Sequence, residues 1–187
     1  MKSLLIPPYL REGDRIEIIS PASHIEEGVV HSAVQMLEES GFRVTLGSHV
    51  FTRSGPFAGN EAERLHDIQQ ATDDPDVKAV LCSRGGYGMS RIVDRIDFSA
   101  LQKQPKWYAG YSDITSLHMW LNRVCGIASL HAEMPLNYSN PEYLPACYDT
   151  LVKALRGEAE PVRWLPPHEA SLEVSGHVTG GNISLIY

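Results

Sequence analysis

The sequence predicts an α/β protein whose sheet is mostly parallel and is covered by helices on both faces. Short β-rich runs alternate with segments of helical period, and this alternation is typical of parallel sheets. Residues 77–82 are nearly continuous in apolar character, as expected of a strand that is buried on both faces. The chain has 187 residues, of which 43% are hydrophobic and 21% charged, so it can build a substantial core.

The first unit reads as strand, helix, strand. Residues 15–20 and 42–46 are predicted strands. Between them Ser23 and Glu26 have the spacing of a capping box, which predicts a helix that begins at Ser23. Gly41 is a suitable stop for that helix.

A loop over residues 47–59 separates this unit from a second helix and strand. Asn60 is a suitable N-cap for the helix, which ends at residues 73–75, and residues 77–82 form the buried strand. The inward face of the helix is predicted from its apolar positions, Ala62, Leu65, Ile68 and Ala71.

The chain continues with a glycine-rich segment over residues 83–88 and a short helix over 89–94. Residues 106–110 and 127–130 are two further predicted strands. The helix between them has one apolar face, which consists of Ile114, Leu117, Leu121 and Val124.

Prolines become frequent after about residue 135, which suggests a change of domain. We therefore expect a first domain over residues 1–135, a linker and helix over 136–160, and the start of a truncated second domain over 161–187. Residues 172–178 alternate like a half-exposed strand, and the last residues resemble a turn and the beginning of an apolar helix.

Several classes of protein are disfavoured by charge and composition. The net charge is −7 and no Lys/Arg cluster occurs, which argues against nucleic acid or an anionic membrane as partner. No apolar run reaches the length of a transmembrane helix, and the N-terminus does not resemble a signal peptide. The three cysteines are odd in number and lack a C-x-x-C spacing, so we expect a cytoplasmic location with neither disulfides nor zinc.

Ser112 lies on a predicted sharp turn between a strand that ends at Gly110 and a helix that begins by Ile114. Such a turn exposes the hydroxyl, and the N–H of Asp113 would point the same way and could stabilise an oxyanion. A serine and an aspartate before a helix are also common helix caps, so a cap is the alternative interpretation.

The segment Arg84-Gly85-Gly86-Tyr87-Gly88 has three glycines within four positions, which lets backbone N–H groups approach an anion closely. It does not match the phosphate-loop or dinucleotide patterns. The alternative is a tight turn without function, although such a turn needs fewer glycines.

Eight histidines are candidates for a base, but none has an obvious acidic partner in the sequence. His31, His49 and His66 are most simply solvated, and His118 does not share a helical face with Ser112. His131 ends a predicted strand and could border the site. No His/Asp/Glu group has the spacing of metal ligands, so we predict no metal.

Taken together, five segments resemble the LD-carboxypeptidase family of serine peptidases, and their order and spacing cover nearly the whole chain. The segments are Ser20-Pro21-Ala22-Ser23, Phe57 to Leu65, Arg84 to Gly88, Gly110 to Thr115, and Gly180-Gly181-Asn182. The resemblance implies a flavodoxin-like N-terminal domain, a separate C-terminal domain, and an active site between the two.

The resemblance also implies roles for particular residues. Ser112 would be the nucleophile, with the N–H groups of Asp113 and Gly86 as the oxyanion hole. We assign substrate contacts to Ser20, to Tyr87 and to the adjacent pair Arg84-Gly85, with a surface or sheet-edge ion pair as the alternative role of Arg84. The family requires no metal or cofactor, is commonly homodimeric, and releases terminal D-alanine from cytoplasmic murein tetrapeptides. A related branch, the microcin-immunity type, cleaves a peptide–nucleotide conjugate.

The Glu and His of the family's triad follow the Gly-Gly-Asn segment in the C-terminal domain, so no residue of this sequence inherits those roles. We therefore expect the 187-residue chain alone to be inactive. The hypothesis from another class is a non-catalytic domain that binds a small anion at the glycine-rich turn.

Overall fold

Five parallel strands form a single sheet in a computed structural model of the chain, which describes residues 4–138, 140, 146–159, 176 and 178–186. The strands are β1 (Arg15–Ile19), β2 (Arg43–Leu46), β3 (Val77–Cys82), β4 (Trp107–Gly110) and β5 (Leu130–His131). Their order across the sheet is β2-β1-β3-β4-β5. This is the flavodoxin-like order, in which the chain changes direction across the sheet between β1 and β3. The predicted fold class is confirmed.

In the described residues, six helices accompany the sheet. They are α1 (Glu27–Glu39), α2 (Glu61–Asp73), α3 (Thr115–Trp120), α4 (Pro135–Tyr138), α5 (Ala146–Arg156) and α6 (Ile183–Ile186). Short 3₁₀ turns occupy Met89–Arg91, Val93–Arg95, Ser99–Gln102 and Ser112–Ile114, and a π-helical turn, Leu121–Cys125, extends α3. Within the described part of the chain, none of the helices has the length and apolar character that crossing a membrane requires.

Two hydrophobic cores lie on the two faces of the sheet, because alternate strand residues point to opposite sides. On β1, Ile16 and Ile18 join the core that α1 and α5 cover, whereas Ile19 joins the core under α2 and α3. On β3 the same alternation sends Leu81 to the first core and Val80 to the second. Both faces of the sheet are therefore covered, as the apolar run 77–82 predicts.

The predicted capping box at Ser23 is wrong. Helix α1 begins at Glu27 with no side-chain cap, and Ser23 instead forms an isolated β-bridge with Phe57. A capping box is present on α2, where Asn60 Oδ1 accepts from the Glu63 N–H at 3.0 Å and Glu63 Oε2 accepts from the Asn60 N–H at 2.7 Å. Ser23 is held by long-range contacts that its local sequence pattern does not reveal.

Three other expectations need correction. Val124 is 64% exposed, because the helix widens into a π-helical turn there and its predicted apolar face does not continue. The fifth strand begins at Leu130, whereas Ile127 forms an isolated bridge with Leu5. The short helix predicted over 89–94 consists of two 3₁₀ turns.

The inward face of α2 also differs from the predicted one. Ala62 is exposed, whereas the polar residues Arg64 and Asp67 are buried with Ile68 and Ala71. The helix therefore directs polar side chains, as well as apolar ones, into the protein.

The segment predicted to be a linker and helix contributes α5 to the first core, through Tyr148, Leu151 and Leu155. Helix α6 agrees with the helical turn expected at the end of the sequence, and its Ile183 is 83% exposed. Most of the predicted strand over 172–178 lies outside the described residues. The domain boundaries remain a prediction.

Candidate active site

Ser112 stands in a strained backbone conformation where β4 passes into α3. Its φ is +62°, and among the described residues it is the only non-glycine with a positive φ. That left-handed region costs an L-residue about 1–2 kcal/mol, so the surrounding fold must impose it. The residue is half-buried, and no hydrogen bond of its hydroxyl is found within the described part of the chain. These features are those of a nucleophile elbow.

The alternative interpretation of Ser112 and Asp113 as helix caps is not supported by their contacts. Neither the 3₁₀ turn Ser112–Ile114 nor helix α3 has a side-chain cap. Asp113 instead turns toward the glycine-rich segment, where its Oδ2 accepts from the Met89 N–H at 2.8 Å. Asp113 thereby holds the segment after β3 against the turn after β4.

Gly85 lies against Ser112. A Cβ at Gly85 would come within 2.9 Å of the Ser112 Cβ, 3.2 Å of its Oγ and 3.2 Å of the Asp113 backbone nitrogen. Glycine is thus required by close approach, because any side chain would collide with the serine. The two polar segments that the sequence singles out, after β3 and after β4, form one surface with the hydroxyl at its centre.

Arg64, a buried arginine on α2, holds together backbone segments next to this surface. Its Nη1 donates to the carbonyl oxygens of Pro21 at 3.0 Å and Gly88 at 2.9 Å, which joins the loop after β1 to the glycine-rich turn. The guanidinium also lies over the Phe57 ring, 5.0 Å from its centroid. The residue is only 3% exposed, and burial lowers its pKa. Sequence reasoning missed Arg64, because a charged residue in an amphipathic pattern is normally placed on the solvent face.

Gly86 and Gly88 pack equally closely against other parts of the site. A side chain at Gly86 would collide with Ser23, and one at Gly88 would collide with Arg64. The Ser23 N–H also donates to the Gly85 carbonyl at 3.3 Å. Three of the segments that carry the family resemblance therefore meet around the turn after β3.

The carboxyl group of Asp113 is buried beneath the site, where the charge of Arg64 acts on its pKa. Burial raises the pKa of Asp113, while the N–H groups of Met89 and Gly88 and the charge of Arg64 act in the opposite direction. One carboxylate oxygen, Oδ1, is buried without a hydrogen-bond partner among the described residues. The role of Asp113 as a side chain is thus to position the turn, whereas its backbone N–H lies beside Gly85 and Ser112.

Two histidines, His118 and His131, lie near the turn that carries Ser112. His118 is buried, and its imidazole contacts the Gly110 carbonyl at 2.8 Å and the Ser129 hydroxyl at 2.8 Å. Burial lowers its pKa, which favours the neutral form. His131 is exposed at the end of β5, and its ring centroid lies 6.1 Å from that of Tyr111. His118 is therefore held by structural contacts, whereas His131 lies against Tyr111, the residue before Ser112.

The residues assigned to substrate binding lie on or next to the same surface. Tyr87 is 50% exposed. Arg84 is half-buried and donates from Nη1 to the His24 carbonyl at 3.2 Å. Ser20 is buried, and its hydroxyl pairs with that of Ser83 at 2.7 Å, so its direct access to a substrate is restricted. The binding roles of these residues remain predictions.

The Gly180-Gly181-Asn182 segment returns to the beginning of α3. The Asn182 N–H donates to the Thr115 hydroxyl at 3.0 Å, and a side chain at Gly181 would collide with Thr115. A cavity of about 510 Å³ lies beside it and includes His118, Asn122, Ser129 and His131 in its lining. The fourth and fifth motif segments are thus in direct contact.

One sequence expectation about histidines is wrong. His49 and His66 are not simply solvated, because both rings contact the buried carboxylate of Asp67, at 2.7 and 3.3 Å. Together the three residues form a group with the spacing of metal ligands. The sequence gives little signal for this group, since His49 is 18 residues from Asp67.

Comparison with known proteins identifies a matching family model and several curated relatives. A family model described as the LD-carboxypeptidase N-terminal domain matches residues 16–132. The probable murein peptide carboxypeptidase of Bacillus subtilis is 36% identical over 189 residues, which is 96% of this chain and 58% of the relative. The murein tetrapeptide carboxypeptidase of Pseudomonas aeruginosa is 32% identical over 183 residues, 92% of this chain and 59% of the relative.

Solved structures share the fold. The microcin C7 self-immunity protein MccF superimposes with a TM-score of 0.80 over 97% of this chain and 64% of its own, at 17% identity. At that identity the likeness concerns the fold alone. The chain spans less than two thirds of the length of these curated relatives and of this solved structure.

Proposed function

Because this chain belongs to the LD-carboxypeptidase family of serine-type carboxypeptidases, we propose that the complete protein releases the terminal D-alanine of murein tetrapeptides in the cytoplasm, with Ser112 as its nucleophile. The observation that carries the proposal is the forced left-handed conformation of Ser112 directly opposite Gly85. Residues held in such strained backbone conformations cluster at active sites.

In the proposed reaction the Ser112 Oγ attacks the carbonyl carbon that precedes the terminal D-residue. The carbonyl oxygen becomes an oxyanion, which the backbone N–H groups of Asp113 and Gly86 would stabilise. Collapse of the tetrahedral intermediate breaks the C–N bond, and the amine of D-alanine leaves with the proton that the general base took from the Ser112 hydroxyl. Water then hydrolyses the acyl-enzyme and regenerates the serine hydroxyl.

Substrate recognition would come from the glycine-rich turn. A guanidinium suits a terminal carboxylate, and we assign that contact to Arg84. Tyr87 offers an exposed ring beside it for the peptide, and Gly85 leaves room for the reacting group. Ser20 would act through Ser83, whose backbone N–H is bonded to the Ile19 carbonyl, rather than by touching the substrate.

The general base and its orienting acid are expected from the C-terminal domain of the family. The ring nitrogens of His118 already contact Gly110 and Ser129, and we identify no acidic residue among the described ones that would orient His131. Neither histidine is therefore proposed as the base. The activity is therefore a property of the complete protein. Homodimer formation likewise remains a prediction from the resemblance.

The test is release of D-alanine from a murein tetrapeptide by the full-length protein and its Ser112→Ala variant. Loss of the nucleophile should lower kcat by about 10⁴-fold or more, because the base then has nothing to activate. Ser32→Ala is the matched control: Ser32 is half-buried on α1, where its hydroxyl donates to the Gly28 carbonyl away from the turn that carries Ser112, and its loss should leave kcat unchanged. Turnover that survives in Ser112→Ala would refute the assignment.

The same assay separates the related substrate class. A peptide–nucleotide conjugate offered to the same enzyme should be cleaved much more slowly than the tetrapeptide. Preference for the conjugate would move the protein to the microcin-immunity type without changing the role of Ser112. Phosphate binding with no hydrolysis of either compound would favour the non-catalytic anion-binding domain.

A further inference from the structure

Two histidines and an aspartate meet beside the carboxyl end of β2, at a place that the proposed reaction does not use. His49 lies in the loop after β2, and His66 and Asp67 are neighbours on α2. One candidate ligand atom from each residue lies within 4.8 Å of the other two. We propose that these three residues form a binding site for one divalent transition-metal ion, with zinc as the reference metal.

The carboxylate of Asp67 is a fixed anchor for such an ion. It is 4% exposed, its Oδ2 accepts from the His49 N–H at 2.8 Å, and its Oδ1 contacts the His49 Nδ1 at 2.7 Å. A Cβ at Gly47 would come within 2.6 Å of Oδ2, so the chain leaves space there for the carboxylate. The oxygen ligand is therefore held in place before any ion binds.

The distances from Asp67 Oδ1 to the two imidazole nitrogens are close to the ligand-to-ligand distances of a tetrahedral centre. Bonds of about 2.0–2.1 Å put neighbouring ligand atoms about 3.3 Å apart. His66 Nδ1 and Asp67 Oδ1 are already 3.3 Å apart. The His49 nitrogen, at 2.7 Å from that oxygen, needs to withdraw by roughly 0.6 Å to reach the same spacing. The two imidazole rings are nearly perpendicular, with centroids 5.2 Å apart, so they do not block each other.

The charges and the chemistry of the three ligands favour a transition metal. Among the described residues, only these two imidazoles lie within ion-pair distance of Asp67, and an imidazole is cationic only when protonated. A divalent ion would neutralise the buried carboxylate while both imidazoles stay neutral. Imidazole nitrogens select zinc, cobalt or nickel rather than magnesium or calcium, which prefer oxygen ligands.

The site is open on one side. The His66 side chain is 52% exposed, so an ion can enter and water can complete its coordination. Three protein ligands and a water position are common in zinc sites. An ion here would join the loop after β2 to α2, the helix that carries Arg64, and would thus stiffen the support of the glycine-rich turn.

The test uses full-length protein that has been treated with EDTA and dialysed, titrated with ZnCl₂ in a calorimeter. We expect one equivalent of zinc per chain and a rise in Tm on binding. His66→Gln should weaken binding at least tenfold, and the fold should stay intact because the side chain is exposed. His31→Gln is the matched control: His31 is an exposed histidine on α1, and its replacement should leave the affinity unchanged.

Cobalt substitution provides a second readout. Co²⁺ bound at this site should give visible absorption of a nitrogen- and oxygen-ligated ion that disappears in Asp67→Asn. The proposal fails if no zinc binds, if His66→Gln binds as tightly as the wild type, or if sulfur-to-cobalt charge-transfer bands reveal cysteine ligands. Ser112→Ala should bind zinc like the wild type, so the result is independent of the proposed hydrolase function.

Discussion

Two polar groups lie at the carboxyl edge of the same sheet, and they are built in opposite ways. Around Ser112 the decisive atoms belong to the backbone, at the strained serine, at Gly85 and at the Asp113 nitrogen. Around Asp67 they belong to side chains that come from a loop and a helix. The first group needs glycines and sharp turns, whereas the second needs only that two elements pack in a certain register.

This difference explains which group is visible in the sequence. A glycine-rich turn after a buried strand and a serine between a strand and a helix are local patterns, and both predict chemistry before any fold is known. A His–Asp contact across 18 residues has no local pattern. It exists because α2 turns His66 and Asp67 toward the loop after β2.

Among these variants, the largest loss of activity is expected for Gly85→Ala. In Gly85→Ala the new methyl group meets the Ser112 side chain at 2.9 Å and displaces it from the Asp113 nitrogen. If the site works through these backbone atoms, kcat of the full-length enzyme should fall by about 10²–10³-fold, the loss typical of a damaged oxyanion hole. The measurement is the rate of D-alanine release at saturating tetrapeptide.

The control for that variant is Gly28→Ala. Gly28 lies on α1, and a Cβ there would meet nothing within 4 Å. Alanine favours the helix, so activity should be unchanged and stability slightly higher. Equal activities of Gly85→Ala and the wild type would show that the close approach has no catalytic purpose.

The next effect concerns Arg64, a buried side chain that supports the site built from backbone atoms. Arg64→Met removes the hydrogen bonds to Pro21 and Gly88 and leaves two carbonyls without their donor. We expect the free energy of unfolding to fall by about 3 kcal/mol, which combines the lost charged hydrogen bonds with relief of the buried cation. Denaturant titration of the full-length protein measures the change.

Arg95→Met is the comparison for Arg64→Met. The Arg95 side chain is 46% exposed and pairs with Glu61 on the surface, so its loss should alter stability by less than about 0.5 kcal/mol. Should the two variants be equally stable, Arg64 would not be the support that its contacts suggest.

The smallest expected effect is a difference in the free energy of unfolding that reports the backbone strain at Ser112. Glycine tolerates a φ of +62°, whereas alanine does not, so Ser112→Gly should be more stable than Ser112→Ala by about 1 kcal/mol. Both variants lack the hydroxyl, and the difference therefore isolates the backbone conformation. Equal free energies of unfolding, measured by denaturant titration, would mean that the turn stores no strain.

Much of the fold is predictable because the strands are short apolar runs with clear ends. The apolar run 77–82 predicts β3 with its observed bounds, and the cap at Asn60 follows from its own side chain. Ser23 has the same local signal as a cap, yet its bridge to Phe57 takes precedence. Arg64 shows the same limit, since only the assembled fold brings Pro21 and Gly88 within its reach.

The covalent bond between Ser112 and the substrate, which the proposed reaction requires, can be detected by peptide mapping with mass spectrometry. The full-length enzyme is mixed with the tetrapeptide, quenched in acid within one turnover, and digested. We predict an acyl adduct, equal to the substrate less D-alanine, on the peptide that contains Ser112. An adduct on a different residue would contradict the account.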